Sequence, residues 1–452
     1  MSEWKVPLFD LDVGDEEKES VEGVLDSNWL TMGEVTRDFE SAFADYVGIK
    51  HTLAVSSGTA AMHLAHMALG LGHGDEVICP SLTFVATANA IRYTGATPVF
   101  ADIQSQDDLN ISPADIESKI TEQTRAIAVV HYAGFPCDMD SIMEIARTHD
   151  LFVIEDAAHA VGGEYVSSRL RAESSKQESE GSRLKMGSKL PGEMVPSRRE
   201  FHGAGNAESS KPEARQRRTD NGEQTTGNRQ QRPDNGRSRK LGTIGDIGCF
   251  SFFGNKNMTT AEGGMVVTDR DDLAERMKIA RSHGMTSLTW DRYKGHEFSY
   301  DVVQMGFNYR IDELRSSLGI AQLKKLDKNN RARRSLWSLY KDKLEGIEEI
   351  RVPFAKFDGI SSCHIFPVLL SENIERDSLM EYLRGQGIQT SIHYPPVHLF
   401  SYYKKLGLSE PDLPLTEYVG RREVTLPLFP TMGAGDVEYV VKAIQGYLAN
   451  RY

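Results

Sequence analysis

Residues 249–269 read CFSFFGNKNMTTAEGGMVVTD. Two apolar runs, 249–253 and 265–267, flank a turn built from Gly, Asn, Thr and Glu, and one lysine, Lys256, stands inside it. A surface lysine normally sits among other charges. This one is surrounded by small and hydroxyl-bearing residues, and a structural task for it is hard to name. An amine held in a cleft loses hydration, which lowers its pKa and makes it a competent nucleophile.

Working outward from that turn, IGCFSFF (247–253) and GGMVVTD (263–269) are expected to form two strands joined through the lysine. Upstream, HTLAV (51–55) reads as a strand. The helical pattern TAAMHLAHMALG (59–70) follows, with Ala61, Leu64, Ala65 and Ala68 on one face. DEVICP is the next strand, TFVATANAIRYTG a helix, and TPVFADI, TRAIAVVHY and LFVIED are further strands. This βαβα rhythm predicts a mostly parallel sheet covered by helices. From about Glu313 the texture changes to long amphipathic helices, such as 315–346, and then to a second, smaller α/β domain.

Ligands of open parallel sheets bind beyond the carboxyl ends of the strands. Three features converge there. Ser57-Gly58-Thr59 falls between a strand and a helix start, where free N–H groups and the helix dipole favour a phosphate. Read alone, it is equally an ordinary turn. Asp156 ends the strand LFVI, a place where an acid is commonly a helix cap. Lys256 is the third. A phosphate cradle, an acid and a reactive lysine together suggest a pyridoxal phosphate site, with the acid facing the pyridinium nitrogen.

The totals agree with an enzyme. At 452 residues two domains are expected, and the 39% hydrophobic share is ordinary for a soluble globular protein. No run of about 18 apolar residues is present, and the acidic start MSEWKVPLFDLDVGDEEKES lacks the apolar segment of a leader. Cys79, Cys137, Cys249 and Cys363 lie far apart, which argues against a zinc site and fits a reducing cytoplasm. Residues 167–240 carry 17 Lys+Arg and 10 Asp+Glu, a local +7 that leaves −20 on the rest of a chain whose net charge is −13. That stretch has no Ile, Trp, Tyr or Cys, so a disordered basic insertion is expected there. No aromatics interleave to stack bases, and the acidic body disfavours nucleic acid.

In chain order, SNWLTMGEVTRDFESAFADYVG, VSSGTAAMHLA, GDEVICPSLTFVATANAI, GATPVFADI, VHYAG, VIEDAAHAVGGEY, GDIGCFSFFGNKNMTTAEGGMVVTD, MGFNYRIDEL and LPLFPTM resemble the DegT/DnrJ/EryC1/StrS family of pyridoxal-phosphate-dependent sugar aminotransferases. SFFGNK is similar to its perosamine-synthase-like branch. The resemblance implies the fold type I aminotransferase architecture. Its large domain, with a mostly parallel sheet of the seven-stranded type, is formed by residues 1–166 and 241–318, and a small domain by 319–452. It further implies that Lys256 is the Schiff-base lysine and Asp156 the acid that keeps the pyridine nitrogen protonated. Phe84 matches the aromatic stacked on the ring; read alone it is a core residue. His159 matches the position near the ring hydroxyl. Gly58, Thr59, the Ala60 backbone and Ser251 match the phosphate cradle. Asn308 matches the residue that reaches the phosphate of a neighbouring subunit, which implies a homodimer with shared sites.

By the same resemblance the amino donor is L-glutamate and the acceptor a nucleotide-linked keto sugar, often a 4-keto-6-deoxy hexose. Trp29, Thr31, His131, His393, Tyr394 and His398 are expected to line the substrate pocket, each with a structural role as the alternative. No carboxylate or cysteine stands near the histidines of SIHYPPVH in sequence, so no metal is expected. Three rival readings remain: a sugar dehydratase, in which a histidine would replace Lys256; a cyclitol aminotransferase; and a non-enzymatic binding protein on the same fold.

Overall fold

The strands form where apolar runs alternate with turn residues. In the computed structural model, which describes residues 4–167, 238–286, 299–408 and 412–450, they are β1 (His51–Val55), β2 (Glu76–Pro80), β3 (Thr97–Ala101), β4 (Thr124–Val130), β5 (Phe152–Asp156), β6 (Glu164–Tyr165), β7 (Arg239–Lys240), β8 (Ile247–Ser251) and β9 (Gly264–Thr268). Seven of them make one sheet in the order β1-β9-β8-β5-β4-β2-β3. From β8 through β5, β4 and β2 to β3 the pairing is parallel; β9 alone runs the other way, antiparallel to both β1 and β8. The mostly parallel sheet expected from the sequence is present, with the two strands flanking Lys256 paired antiparallel.

Both faces of the sheet are covered, which is why its strands are apolar on both sides. Alternate residues part between two cores. Leu53, Val55, Ala126, Ala128 and Val266 face the helices Gly58–Ala68, Ala86–Tyr93 and Asp271–Arg281. Ala54, Met265 and Val267 face Phe39 and Phe43 of helix Glu34–Val47, and Ile127 and Val129 face helix Met139–Thr148. A second sheet of three antiparallel strands, β10 (Ile350–Arg351), β11 (Phe366–Leu370) and β12 (Glu423–Leu426), packs with helices Arg376–Gly385 and Ala434–Ala449. The 32-residue helix Glu313–Leu344 runs unbroken across position 318, where the sequence suggested a boundary. Residues 1–167 and 238–452 cluster as one compact unit.

The stretch 168–237 of the expected insertion lies outside the described residues. At its borders, Tyr165 pairs with Arg239 and Glu164 with Lys240, so the last two residues assigned to the insertion belong to a strand. The chain then turns back onto β5. The buried Glu155 carboxylate accepts from the N–H groups of Gly242, Ile244 and Gly245 at 2.9, 2.5 and 2.5 Å. Among the described residues no helix is long and apolar enough to cross a membrane, and no group of three His, Cys, Asp or Glu is arranged to hold a metal.

Candidate active site

Because β1, β2, β4, β5 and β8 share one direction, the residues that follow them meet at a single edge of the sheet. Ser57, Phe84, Asp156 and Ser251 all lie at or just past these carboxyl ends.

The cup after β1 is closed by sterics. Ser57 caps helix Gly58–Ala68, its Oγ accepting from Ala60 N–H at 3.1 Å. A Cβ on Gly58 would lie 2.8 Å from Ser251 Cβ, and one on Gly264 would lie 2.6 Å from the Ser57 carbonyl carbon. Only glycine lets these three segments approach so closely. Of the N–H groups assigned to the cradle, that of Ala60 is therefore engaged by Ser57. Those of Gly58 and Thr59 are in the first turn, which has no intrahelical partner.

Asp156 is buried at the end of β5. Its carboxylate accepts from Thr87 Oγ1 at 2.8 Å and from Ala158 N–H at 3.1 Å. Burial pushes its pKa up, while these two donors and the nearby Lys256 pull it down. Sequence periodicity placed Thr83 and Phe84 inside a helix. The helix starts only at Ala86, and Phe84 is 57% exposed, its ring 5.9 Å from that of Tyr394.

Lys256, on the turn between β8 and β9, is half-buried. Loss of hydration brings its amine down to about 8, against the opposing pull of Asp156. Its Nζ lies 3.5 Å from His364 Nε2. From there a chain of rings runs around the cleft: His364 to His159 with centroids 4.3 Å apart, His159 to Tyr394 at 5.9 Å, and Tyr394 to Phe84 at 5.9 Å. His159 Nε2 is 2.9 Å from Tyr394 Oη.

Two expected pocket residues, His131 and His398, are placed in the core instead. His131 is fully buried; its Nε2 pairs with Glu155 at 2.9 Å and its Nδ1 accepts from Cys137 N–H at 3.2 Å, so it is a core residue with no face for a substrate. His398 is also fully buried, with Nδ1 2.7 Å from Ser81 Oγ and Nε2 3.6 Å from Glu417. The His393 ring is tied to Thr425 Oγ1 at 2.8 Å but still borders a pocket with Leu8, Phe9, Asn255 and His364. Trp29 and Thr31 lie on the loop ahead of helix Glu34–Val47, Trp29 half-buried and Thr31 exposed; Asn308 is exposed. Sequence reasoning missed Thr87, Asn257 and His364: the first two lie in motifs read for other residues, and the partners of all three come from distant elements.

The chain matches the DegT/DnrJ/EryC1/StrS aminotransferase family over residues 11–174 and 225–445. It belongs to that family. The spore coat polysaccharide biosynthesis protein SpsC of Bacillus subtilis is 34% identical to it over 439 residues, which are 96% of this chain and 94% of that protein. Among solved structures, Helicobacter pylori PseC, an aminotransferase involved in the biosynthesis of pseudoaminic acid, aligns with a TM-score of 0.76 at 27% identity, covering 98% of this chain and 99% of its own. DesV of S. venezuelae aligns with a TM-score of 0.75 at 29% identity over 98% of each chain. This DegT-family chain is accordingly a pyridoxal-phosphate-dependent sugar transaminase with the type I aminotransferase fold.

The residues present fit that cofactor. The cup between Gly58 and Ser251 is too tight for a Cβ yet rich in N–H groups, as a phosphate requires. His159 Nδ1 is buried without a hydrogen-bond partner, which costs free energy unless a ligand group meets it. Nε2 is paired with Tyr394 Oη; in the tautomer where Tyr394 donates, Nδ1 carries the hydrogen and offers a donor suited to a ring oxygen.

Proposed function

We propose that this chain moves the amino group of L-glutamate to a nucleotide-linked keto sugar, a 4-keto-6-deoxy hexose, and works as a cytoplasmic homodimer with shared sites. The observation that carries the reading is Lys256. It is an amine brought down to about 8, on the turn that follows Ser251 and within the field of a buried acid.

When bound, pyridoxal phosphate supplies an electron sink for the charge left when Cα loses a proton. The chain's own groups do the rest. Gly58, Thr59 and Ser251 would hold the phosphate, Asp156 would keep a proton on the ring nitrogen, Phe84 would pack against the ring and His159 would donate to its oxygen. Lys256, with its amine free, would take the proton at Cα and return it to the carbon on the other side of the amino nitrogen, two bonds away. A lysine does this near neutral pH only when its pKa is close to the working pH, which burial provides here.

Support for a deoxy sugar comes from the apolar side chains beside His364: Leu8, Phe9, Ile365, Leu426 and Leu428 line a small pocket there, together with Asn255, His364, His393 and Thr425 as its polar groups. An exposed strip beside Asn308, with Met305 at 76% and Tyr300 and Val303 at 55%, supports a second copy of the chain as its cover. The four cysteines are free and buried, in keeping with a reducing compartment.

The test is the absorption spectrum of the purified chain with pyridoxal phosphate, before and after L-glutamate, beside Lys256→Ala. A visible band that glutamate discharges, and that the variant lacks, supports the reading. A wild-type chain without such a band sinks it. A panel of nucleotide-linked keto sugars and cyclitol ketones then identifies the acceptor; turnover of cyclitols alone overturns the sugar assignment.

A further inference from the structure

His364 precedes β11, far in sequence from the turn that carries Lys256, and the fold brings the two together. Its ring is not free to choose a tautomer. Asn257 Nδ2 donates to two atoms, Asn330 Oδ1 at 2.7 Å and the Ser362 carbonyl at 2.8 Å. The Ser362 carbonyl only accepts, so the amide nitrogen of Asn257 must lie on that side. Asn330 is oriented in the same way, its Nδ2 donating to the Val161 carbonyl at 3.0 Å. What Asn257 turns toward His364 is therefore its oxygen, 2.9 Å from Nδ1. Nδ1 must carry the hydrogen, and in the neutral ring Nε2 is bare. Arg333 Nη1 donates to the His364 carbonyl at 3.1 Å and to that of Leu428 at 2.9 Å, which fixes the backbone beneath the ring.

We propose that His364, locked as the Nδ1–H tautomer by the Asn257–Asn330 amide pair, is a positioning residue that accepts an N–H of Lys256 and so directs the lysine's own lone pair into the cleft. The inference rests on Lys256 being the reacting amine. At 3.5 Å the bond is long, as contacts in a site without its ligand often are. Loss of hydration, with His159, Lys256, Arg333 and His393 all facing the ring, holds the imidazole well below its ordinary pKa, so Nε2 stays bare at neutral pH. Facing Lys256 in turn are Asp156, His159, His364 and His393. The histidines are kept neutral by burial, so Asp156 is the charge that favours the ammonium form and His364 the neutral acceptor that adds to it.

The sign of the effect follows. An acceptor on Nζ favours the better donor, the ammonium, so its removal lowers the lysine's pKa. In the full-length chain stripped of cofactor, the pH dependence of Lys256 acetylation by acetic anhydride, read on the Lys256 peptide by mass spectrometry, reports that value whether or not the chain turns over any sugar. In His364→Leu the midpoint is expected to fall by about half a pH unit or more. In His364→Gln, which can present an oxygen to the amine, it is expected to return close to wild type. An unchanged or raised midpoint in a His364→Leu protein that melts like the wild type overturns the proposal. Histidine 15N NMR of the wild-type chain, assigned by the signal missing from His364→Gln or, if that variant does not fold, by correlating the ring with the His364 backbone amide that 13C-carbonyl labelling of Cys363 picks out, gives a test that needs no folded variant. A protonated Nδ1 with a pyridine-like Nε2 at pH 7 supports the tautomer lock; an Nε2–H form or an imidazolium refutes it.

Discussion

Thr87 Oγ1 donates to Asp156 Oδ2 at 2.8 Å from inside the first turn of helix Ala86–Tyr93, so the acid at the end of one strand is held by a helix that follows another. Its second partner is the N–H of Ala158 at 3.1 Å. Both bonds favour the carboxylate against burial, which pushes the other way. Thr87→Val keeps the shape and removes the stronger bond. Asp156 then becomes a weaker partner for a ring nitrogen, and kcat for the glutamate half-reaction should fall by about 5- to 30-fold. Asp156→Asn should fall much further, by on the order of 100-fold or more. Stopped-flow absorbance of the half-reaction checks both; an undiminished rate in Thr87→Val would show that Thr87 does not act through Asp156.

The phosphate cup makes a steric prediction. In Gly58→Ala the new Cβ meets Ser251 Cβ at 2.8 Å, and neither atom is the end of a flexible side chain. Helix and strand must move apart, which costs about 1–3 kcal/mol and spreads the N–H groups. The dissociation constant for pyridoxal phosphate, read by fluorescence titration, should rise tenfold or more, with kcat at saturating cofactor changed much less. Unaltered cofactor affinity would move the phosphate site elsewhere.

How much of this was legible in the chain depends on the range of the interaction. The strands and the order of motifs were readable because apolar alternation and local turn chemistry are properties of neighbouring residues, and the same local signals singled out Lys256 and Asp156. The helix start was misjudged at Phe84: TFVATANAI has helical periodicity, but the cleft edge needs that ring exposed. His131 and His398 looked like pocket residues because a histidine past a strand end or in a loop commonly is. Burial against Glu155 and Ser81, partners 24 and 317 positions away, settled them as structural. His364 gave no local signal, since Asn257 and Asn330 define its tautomer only after β11 is docked.

The Lys256 amine predicts a pH dependence that can be read without any sugar. Only the neutral amine captures an aldehyde, and burial brings its pKa to about 8. The rate of pyridoxal phosphate uptake by the full-length chain should therefore rise about tenfold per pH unit below 8 and level off above it. Asp156 holds that value up, so Asp156→Asn should shift the midpoint down and speed uptake at pH 7 even as turnover falls. For stability, the folded value lies below the ordinary 10.5, so the charged amine opposes folding in full below about pH 8. That cost fades as pH rises from 8 toward 10.5. A flat uptake profile between pH 6 and 9 would contradict a perturbed lysine.

The borders of the insertion make the last prediction. Tyr165 and Arg239 face each other in a short antiparallel pair, and Lys240 Nζ reaches Glu164 at 2.9 Å. Beyond them Glu155 grips the returning chain through Gly242, Ile244 and Gly245, and its pKa is held below the ordinary carboxylate value although burial alone would raise it. The return path is thus fixed by bonds made entirely outside 168–237. Replacing those 70 residues with Asn-Gly leaves five residues between Tyr165 and Arg239 (Val166, Ser167, Asn, Gly and Ser238), a length that a hairpin loop spans. Activity and cofactor affinity should stay within about twofold, since loop length contributes only weakly to stability. Glu155→Gln in the same shortened chain should cost about 3 kcal/mol or more, because it removes the charge that three N–H donors and His131 surround. If the shortened chain folds but loses transamination, the segment takes part in the reaction, and the passive-insertion reading fails.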